Sequence, residues 1–328
     1  MHVLLTGAAG FIGYHTARRF LERGDTVLGL DDLNDYYDPG LKRARLAALE
    51  RFDGFRFAVA DIAAPDQLAA VTKDAGRFDV IVHLAAQAGV RYSVENPYAY
   101  VHSNVTGQVA MFELAAHHGG LPVVYASSSS VYGGNTKVPF SEEDRVDHPV
   151  SLYAATKKAD ELMSYSYAHL YGIAQTGLRY FTVYGPWGRP DMAYWIFTEA
   201  IVERRPIRVF NHGNLWRDFT YIDDIVAATV KVLDHPPQGL QPPYRIYNVG
   251  HNKPENLGRF IDILEDLIGI PAIRRDEPMQ PGDVEQTYAD ISRLQKDFGF
   301  APAVSLEDGL KSFVGWYRDF ILGEGGKR

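Results

Sequence analysis

Thr6-Gly7-Ala8-Ala9-Gly10-Phe11-Ile12-Gly13 joins the apolar run His2 to Leu5 to a helical pattern that extends from about Phe11 to Arg23. Three glycines at this strand-to-helix junction let the backbone turn sharply, approach a pyrophosphate and pack helix on strand. The helix start then offers unpaired N–H groups and a partial positive charge. A tight turn alone would satisfy the same pattern. The next strand, however, ends at Asp31, the distance downstream at which an acid accepts from a ribose hydroxyl. Gly7, Gly10, Gly13 and Asp31 together therefore predict a dinucleotide site. A 2'-phosphate beside Asp31 would face a like charge, costing roughly 4 kcal/mol at about 4 Å with an effective dielectric near 20, so NAD is expected over NADP. Asp61 and Ile62, after the third strand, fall where an adenine edge would lie, although Asp61 could equally cap the following helix.

Strand and helix patterns alternate from there: TVLGLDD, FRFAVAD, DVIVHLAA, PVVYASSS and TGLRYFTVYG are short apolar runs separated by helical stretches. This predicts an α/β, doubly wound parallel sheet of Rossmann type, covered on both faces. After about Phe181 the alternation weakens and Pro/Gly-rich loops appear at 185 to 190 and 235 to 244. The expected division is a Rossmann domain over 1–181, with return segments around 217–250, and a smaller mixed α/β substrate domain over 182–328. Arg245 to Gly250 reads as a strand returning to the main sheet, and the terminal GEGGKR reads as loose.

Composition narrows the partners. The net charge is -8, with no block of Lys and Arg, which argues against nucleic acid or an anionic membrane. There is no cysteine, which excludes disulfides, thiolate metal sites and a cysteine nucleophile and suits a reducing, cytoplasmic setting. Neither a signal peptide nor an apolar run of about 18 residues is seen, so no membrane span is expected.

Tyr153-Ala154-Ala155-Thr156-Lys157 places a phenol and an ammonium on one face of a predicted helix. A lysine cation and a positive nicotinamide ring both favour a phenolate able to take a proton from an alcohol. A chance surface pair would look the same. What distinguishes this one is its place, one helix after Ser127-Ser128-Ser129-Ser130 at the carboxyl edge of the sheet, where doubly wound folds hold their ligands. Ser128, counted back from Val131-Tyr132-Gly133, is the serine expected to share the alcohol proton with Tyr153, the alternative being a helix-capping turn.

TGAAGFIG, Asp31, the serine run with Tyr132-Gly133, and Tyr153 with Lys157 resemble the extended short-chain dehydrogenase/reductases that modify nucleotide sugars. Within them, the segments 31 to 42, 83 to 93, 151 to 163, 179 to 193 and 217 to 225 are similar to the UDP-glucuronate 4-epimerases. The resemblance implies NAD contacts at Phe11, Ile12, Leu84, Ala85, Ala86, Tyr180 and Val183, besides Tyr153 and Lys157. It implies that Tyr153 takes the O4 proton, that Lys157 holds the nicotinamide ribose, and that Ser128 relays or orients the proton. The resulting 4-keto sugar turns and is reduced on its other face. It also places Ser128, Ser129, Ser130 and Thr182 at the sugar acid group, Arg189 and Arg217 at the diphosphate, and Phe210 beside the base. A homodimer through the helices around Val105 to Ala116 and Tyr153 to Leu170 is the expected assembly.

A glucuronate oxidised at C4 is a β-keto acid that loses carbon dioxide readily, so neutral hydroxyls at the carboxylate suit an enzyme that must retain it. Related 4,6-dehydratases carry an Asp-Glu pair where Ser129 and Ser130 stand, and related decarboxylases commonly a Glu at Ser130. The alternatives are a UDP-glucuronate decarboxylase and a 4-epimerase of neutral UDP-hexoses. A sensor without catalysis would have no need of the Ser128, Tyr153 and Lys157 set. An Arg found in UDP-glucose 4-epimerases near Gln280-Pro281-Gly282-Asp283 is missing. His117-His118 reads as a helix end without nearby partners rather than a metal site, Asp223-Asp224 as a helix cap, and surface pairing with Asp191 or Asp218 as the other reading of Arg189 and Arg217.

Overall fold

The computed structural model describes residues 1–279 and 285–323, so Gln280 to Asp283 and most of GEGGKR, on which expectations were stated above, lie outside the described residues. Two compact units share the chain. The first comprises 1–135, 142–180 and 226–248; the second comprises 136–141, 181–225 and 249–328.

The first unit is built on β1 (His2–Thr6), β2 (Thr26–Asp31), β3 (Phe55–Val59), β4 (Val80–His83), β5 (Val123–Ser128) and β6 (Gln175–Tyr180). Their lateral order is β6-β5-β4-β1-β2-β3, every neighbouring pair parallel, and the return strand Tyr244–Val249 adds a seventh beside β6 as expected. β4 and β6 are buried along their whole length, because helices cover both sheet faces, whereas the edge strand β3 is only partly buried. Helices α1 (Phe11–Glu22), α2 (Pro39–Leu49) and α3 (Pro65–Thr72) follow the first three strands. The chain winds outward from β1 to β3 and then restarts with β4 on the other side of β1. The reversal opens a crevice at the carboxyl ends of β1 and β4, where such sheets place ligands. One core cluster includes Leu4, Leu30, Ile81 and Val123 from the strands and Leu68, Met111 and Phe112 from the helices.

TGLRYFTVYG is not the single strand that its apolar run suggests. It breaks at Phe181, whose N–H bonds Val249 O, and Thr182–Tyr184 leaves the main sheet to pair in parallel with Phe219–Tyr221. Among the described residues the second unit holds three small sheets, of two, three and two strands. Its helix Leu257–Ile268 is capped by Asn256, which accepts from Gly258 and Arg259 N–H, and closed by Gly269 in the left-handed region. Stacked Phe219 and Phe260, with Tyr184, Tyr194 and Phe313 set edge-on along the same series, form an aromatic core. No described helix is long and apolar enough to cross a membrane.

Candidate active site

The glycine turn is fixed by close approaches. Gly7 has φ +74, and a Cβ there would meet Ala85 N at 2.7 Å; at Gly13 it would lie 1.9 Å from Gly7 O. Any side chain at 7 or 13 would drive β1, α1 and the loop after β4 apart. Gly10 is the N-cap of α1 and supplies no side-chain acceptor, so the first helical N–H groups remain for an anion, with Phe11 buried and Ile12 partly exposed behind them. Asp31 accepts from Ala9 N–H at 3.2 Å and Leu33 N–H at 2.9 Å, and the Lys42 ammonium stands 3.9 Å away. Burial raises its pKa, against the pull of Lys42 and the two N–H groups. Leu84 and Ala85 N–H bond Thr6 O and Thr6 Oγ1, which holds Leu84, Ala85 and Ala86, all partly exposed, beside the turn.

Asp61 does not cap α3, whose N-cap is Ala64; it accepts from Ala63 N–H and pairs with His102 Nε2 at 2.7 Å. Ile62 is core: its side chain packs where a Cβ on Gly107 would fall, so only its backbone can serve a ligand.

The long helix Leu152–Tyr171 is started by Ser151, which accepts from Ala154 N–H at 3.1 Å. Tyr153 therefore lies in the first turn, partly exposed, with the Tyr100 ring edge-on at 6.0 Å. One turn on, buried Lys157 donates to Ala126 O of β5 at 2.9 Å and to Asp160 Oδ2 at 3.0 Å. The tyrosine and lysine are thereby docked on the strand that ends at Ser128. Ser128 also caps the short 3-10 turn Ser129–Tyr132, accepting from Ser130 N–H and donating to Ser130 Oγ, so the capping alternative holds alongside any other role. Ser127 is committed to Glu161 at 2.7 Å.

A buried network that the sequence did not announce holds this arrangement. Arg179 on β6 grips Glu161 through Nε at 2.7 Å and Nη2 at 2.8 Å, and donates to Tyr132 Oη, which donates to Asn248. Burial pushes the Glu161 carboxyl up, but the guanidinium outweighs it and holds the group below its ordinary range. His83 on β4 bonds Thr6 Oγ1 at 2.6 Å and is pushed down to about 3, by burial and then by the Lys157 charge. Asn104 sits in a π-turn, Val101–Thr106, and bridges the Gln87 backbone and Thr156 Oγ1. No local spacing in the sequence signals these partners, which come from elements far along the chain.

Tyr180 is buried, its hydroxyl on Thr229 Oγ1 at 2.8 Å. In the second unit, Thr182 is partly exposed and Val183 buried on the short strand after Phe181. Arg189 takes the pairing reading, bidentate to Asp191 at 3.0 and 2.8 Å. Arg217 does not pair with Asp218; its Nη1 donates to Trp216 O and Glu285 O, while Asp218 turns inward to backbone N–H groups. Phe210 is partly exposed under the Arg208 guanidinium. Asp223 and Asp224 lie inside the first turn of Ile222–Leu233, and Asp224 accepts from Ala303 and Val304 N–H instead of capping. His117 and His118 do have partners, Glu113 at 3.4 Å and Leu114 O at 2.9 Å.

A parallel doubly wound sheet with a glycine turn, an acid ending β2 and a Tyr-Lys helix seated on β5 defines a dinucleotide-dependent enzyme acting on an alcohol or carbonyl. Residues 3–250 match the NAD dependent epimerase/dehydratase family, and the chain belongs to it. It is 46% identical to a probable UDP-glucuronate 4-epimerase of Rhizobium meliloti, over 97% of both chains. It is 48% identical to UDP-glucuronate 4-epimerase 2 of Arabidopsis thaliana, over 99% of this chain and 77% of that one. Among solved structures, UDP-glucuronic acid 4-epimerase of Bacillus cereus, in complex with UDP-glucuronic acid and NAD, matches with a TM-score of 0.88 at 34% identity, over 97% of this chain and 99% of that one.

Proposed function

We propose that this protein is an NAD-dependent UDP-glucuronate 4-epimerase, forming UDP-galacturonate through a transient 4-keto sugar without loss of the carboxylate. The observation that carries it is the Tyr153-Lys157 helix seated on β5 at a strand end bearing hydroxyls, with no acid at 129 or 130. The first unit fits the cofactor: a glycine cradle with no room for a Cβ at 7 or 13, uncapped N–H groups at the start of α1, and Asp31 at the end of β2. Bound there, NAD supplies reversible hydride acceptance. Tyr153 takes the O4 proton and returns it once the sugar has presented its other face. The Lys157 cation favours the phenolate and holds a ribose hydroxyl, and Ser128 orients O4. Serine hydroxyls at the sugar acid bind it without supplying the acid-base pair that elimination needs. In the second unit, Thr182, Arg189, Arg217 and Phe210 are assigned to the UDP-sugar; Arg189 must exchange Asp191 for the diphosphate.

We infer a homodimer as well. Tyr98, Val101, Leu162 and Tyr165 are exposed apolar side chains on the helices of the first unit, a surface suited to a second copy. Sedimentation at micromolar concentration measures it. A cytoplasmic location accords with a cysteine-free chain.

The test is proton NMR of the purified protein with UDP-glucuronate and no added cofactor. UDP-galacturonate signals rising to a stable mixture are expected, and in Tyr153→Phe they should be at least about a thousandfold slower with bound NAD retained. A UDP-pentose with released carbon dioxide would make the protein a decarboxylase. Turnover of neutral UDP-hexoses alone would remove the acid from the substrate.

A further inference from the structure

Asp160 stands three residues beyond Lys157 on the same helix and has no solvent-accessible surface. One oxygen meets the Lys157 ammonium at 3.0 Å; the other, Oδ1, is buried with no hydrogen-bond partner among the described residues. Lys157 itself is 2% exposed. An ammonium taken out of water favours loss of its proton unless an opposite charge stands beside it. Among the described residues, no other partner of this ammonium supplies that charge. Ala126 O on β5 is a neutral acceptor, and His83 on β4 is neutral, held down to about 3. Tyr153 shares the helix, with Tyr100 against its ring. The neighbouring acid, Glu161, is spent on Arg179 of β6 and Ser127 of β5, with Lys158 at 3.5 Å.

We propose that Asp160 is a positioning residue for the reaction: it supplies the opposite charge that holds the buried Lys157 ammonium against β5, from where it supports the Tyr153 phenolate. This rests on the reading of Tyr153 and Lys157 as the catalytic pair. An orphaned buried acceptor is costly, and a group kept only for packing or hydrogen bonding would not incur that cost. Burial raises the Asp160 carboxyl to about 6 against the pull of Lys157, which still leaves it ionised in the neutral and alkaline range where a lysine needs its counter-charge. With Asp160 ionised, the buried ammonium has an opposite charge beside it; with that charge removed, activity is expected to fail first on the alkaline side.

The experiment compares the NAD-bound wild type with Asp160→Asn, which keeps the shape and removes the charge. Turnover of UDP-glucuronate is followed from pH 6 to 10, and NAD retained per chain is measured after gel filtration at pH 7 and pH 9. Asp160→Asn is expected to move the alkaline limb of kcat down by at least about one pH unit and to retain less NAD at pH 9 but not at pH 7. Should Asp160→Asn melt early, Asp160→Ser is the second charge-removing variant, read by the same two measurements. A kcat lowered equally at every pH, or unchanged, would show a merely structural role and overturn the proposal, as would a shift of the acid limb in place of the alkaline one. If the wild type does not turn over UDP-glucuronate, the proposed function fails, while NAD retention still decides the role of Asp160.

Discussion

Two buried carboxylates, one in each unit, are stabilised by different means. Glu161 in the first unit meets a guanidinium: Arg179 reaches it from β6, and Ser127 adds a hydroxyl from β5. Asp218 in the second unit meets no cation among the described residues. It accepts from the backbone N–H groups of His251, Asn252 and Ala289 and from Thr220 Oγ1, at 2.6 to 3.1 Å. The difference follows from what each region lacks. The seven-stranded sheet already satisfies its backbone, so an acid there is free to clamp a helix onto two strands. The second unit has strands of two or three residues in several places, and its loops leave buried N–H groups that only a side chain can satisfy. Asp218 substitutes for a ladder, and Gly250 makes room for it, since a Cβ there would lie 2.8 Å from Asp218 Oδ2.

Removing one charge from each site would sharpen the contrast. Glu161→Gln strands a buried guanidinium and should destabilise the protein by about 3–5 kcal/mol in urea unfolding, with catalysis lost as the helix bearing Tyr153 loosens. A loss below about 1 kcal/mol would mean that Arg179 finds water and that the clamp is not what docks the helix. Asp218→Asn keeps one acceptor oxygen but turns an NH2 toward backbone donors, and a loss of roughly 1–3 kcal/mol is expected. Here NAD retention, a property of the first unit, should persist. A loss as large as that of Glu161→Gln would show that a backbone-satisfying acid matters as much as an ion pair.

The same contrast explains what could be read from the chain. Periodicity, glycine spacing and the strand-end Asp31 report on regular elements, and the first unit is made of them, so its sheet, glycine turn and Tyr-Lys helix were legible. The return strand was legible too, from RIYNVG alone. The splitting of TGLRYFTVYG into two strands was not, although the expected division of the chain falls at 181, because an apolar run looks the same whether it continues in one sheet or leaves for another. The cap expected of Asp223-Asp224, and Asp218 as the other reading of Arg217, fail for the same reason: in the second unit acids are placed by distant backbone, Ala303 and Val304 for Asp224, and sequence neighbours carry no trace of that. Arg189 with Asp191, two residues apart, was the local pairing, and it is the one that formed.

His83 offers a third solution, which is to give up the charge. It is fully buried between Thr6 and the Lys157 ammonium, and its pKa is held at about 3 against about 6.5 in an unfolded chain. Since the folded value is depressed, folding favours the neutral ring. Its contribution is complete above pH 6.5 and is lost as pH falls from there toward 3, because the unfolded chain takes up the proton first. The slope approaches roughly 1.4 kcal/mol per pH unit within that window. Between pH 7 and 5.5 the wild type should therefore lose about 1 kcal/mol more than His83→Gln in paired urea titrations, the smallest of the three effects. Parallel pH curves for the two proteins would mean that the folded ring accepts its proton after all, with Thr6 and Lys157 shifting to admit it. The first unit would then tolerate a buried cation without an acid partner, and the contrast with Glu161 would no longer hold.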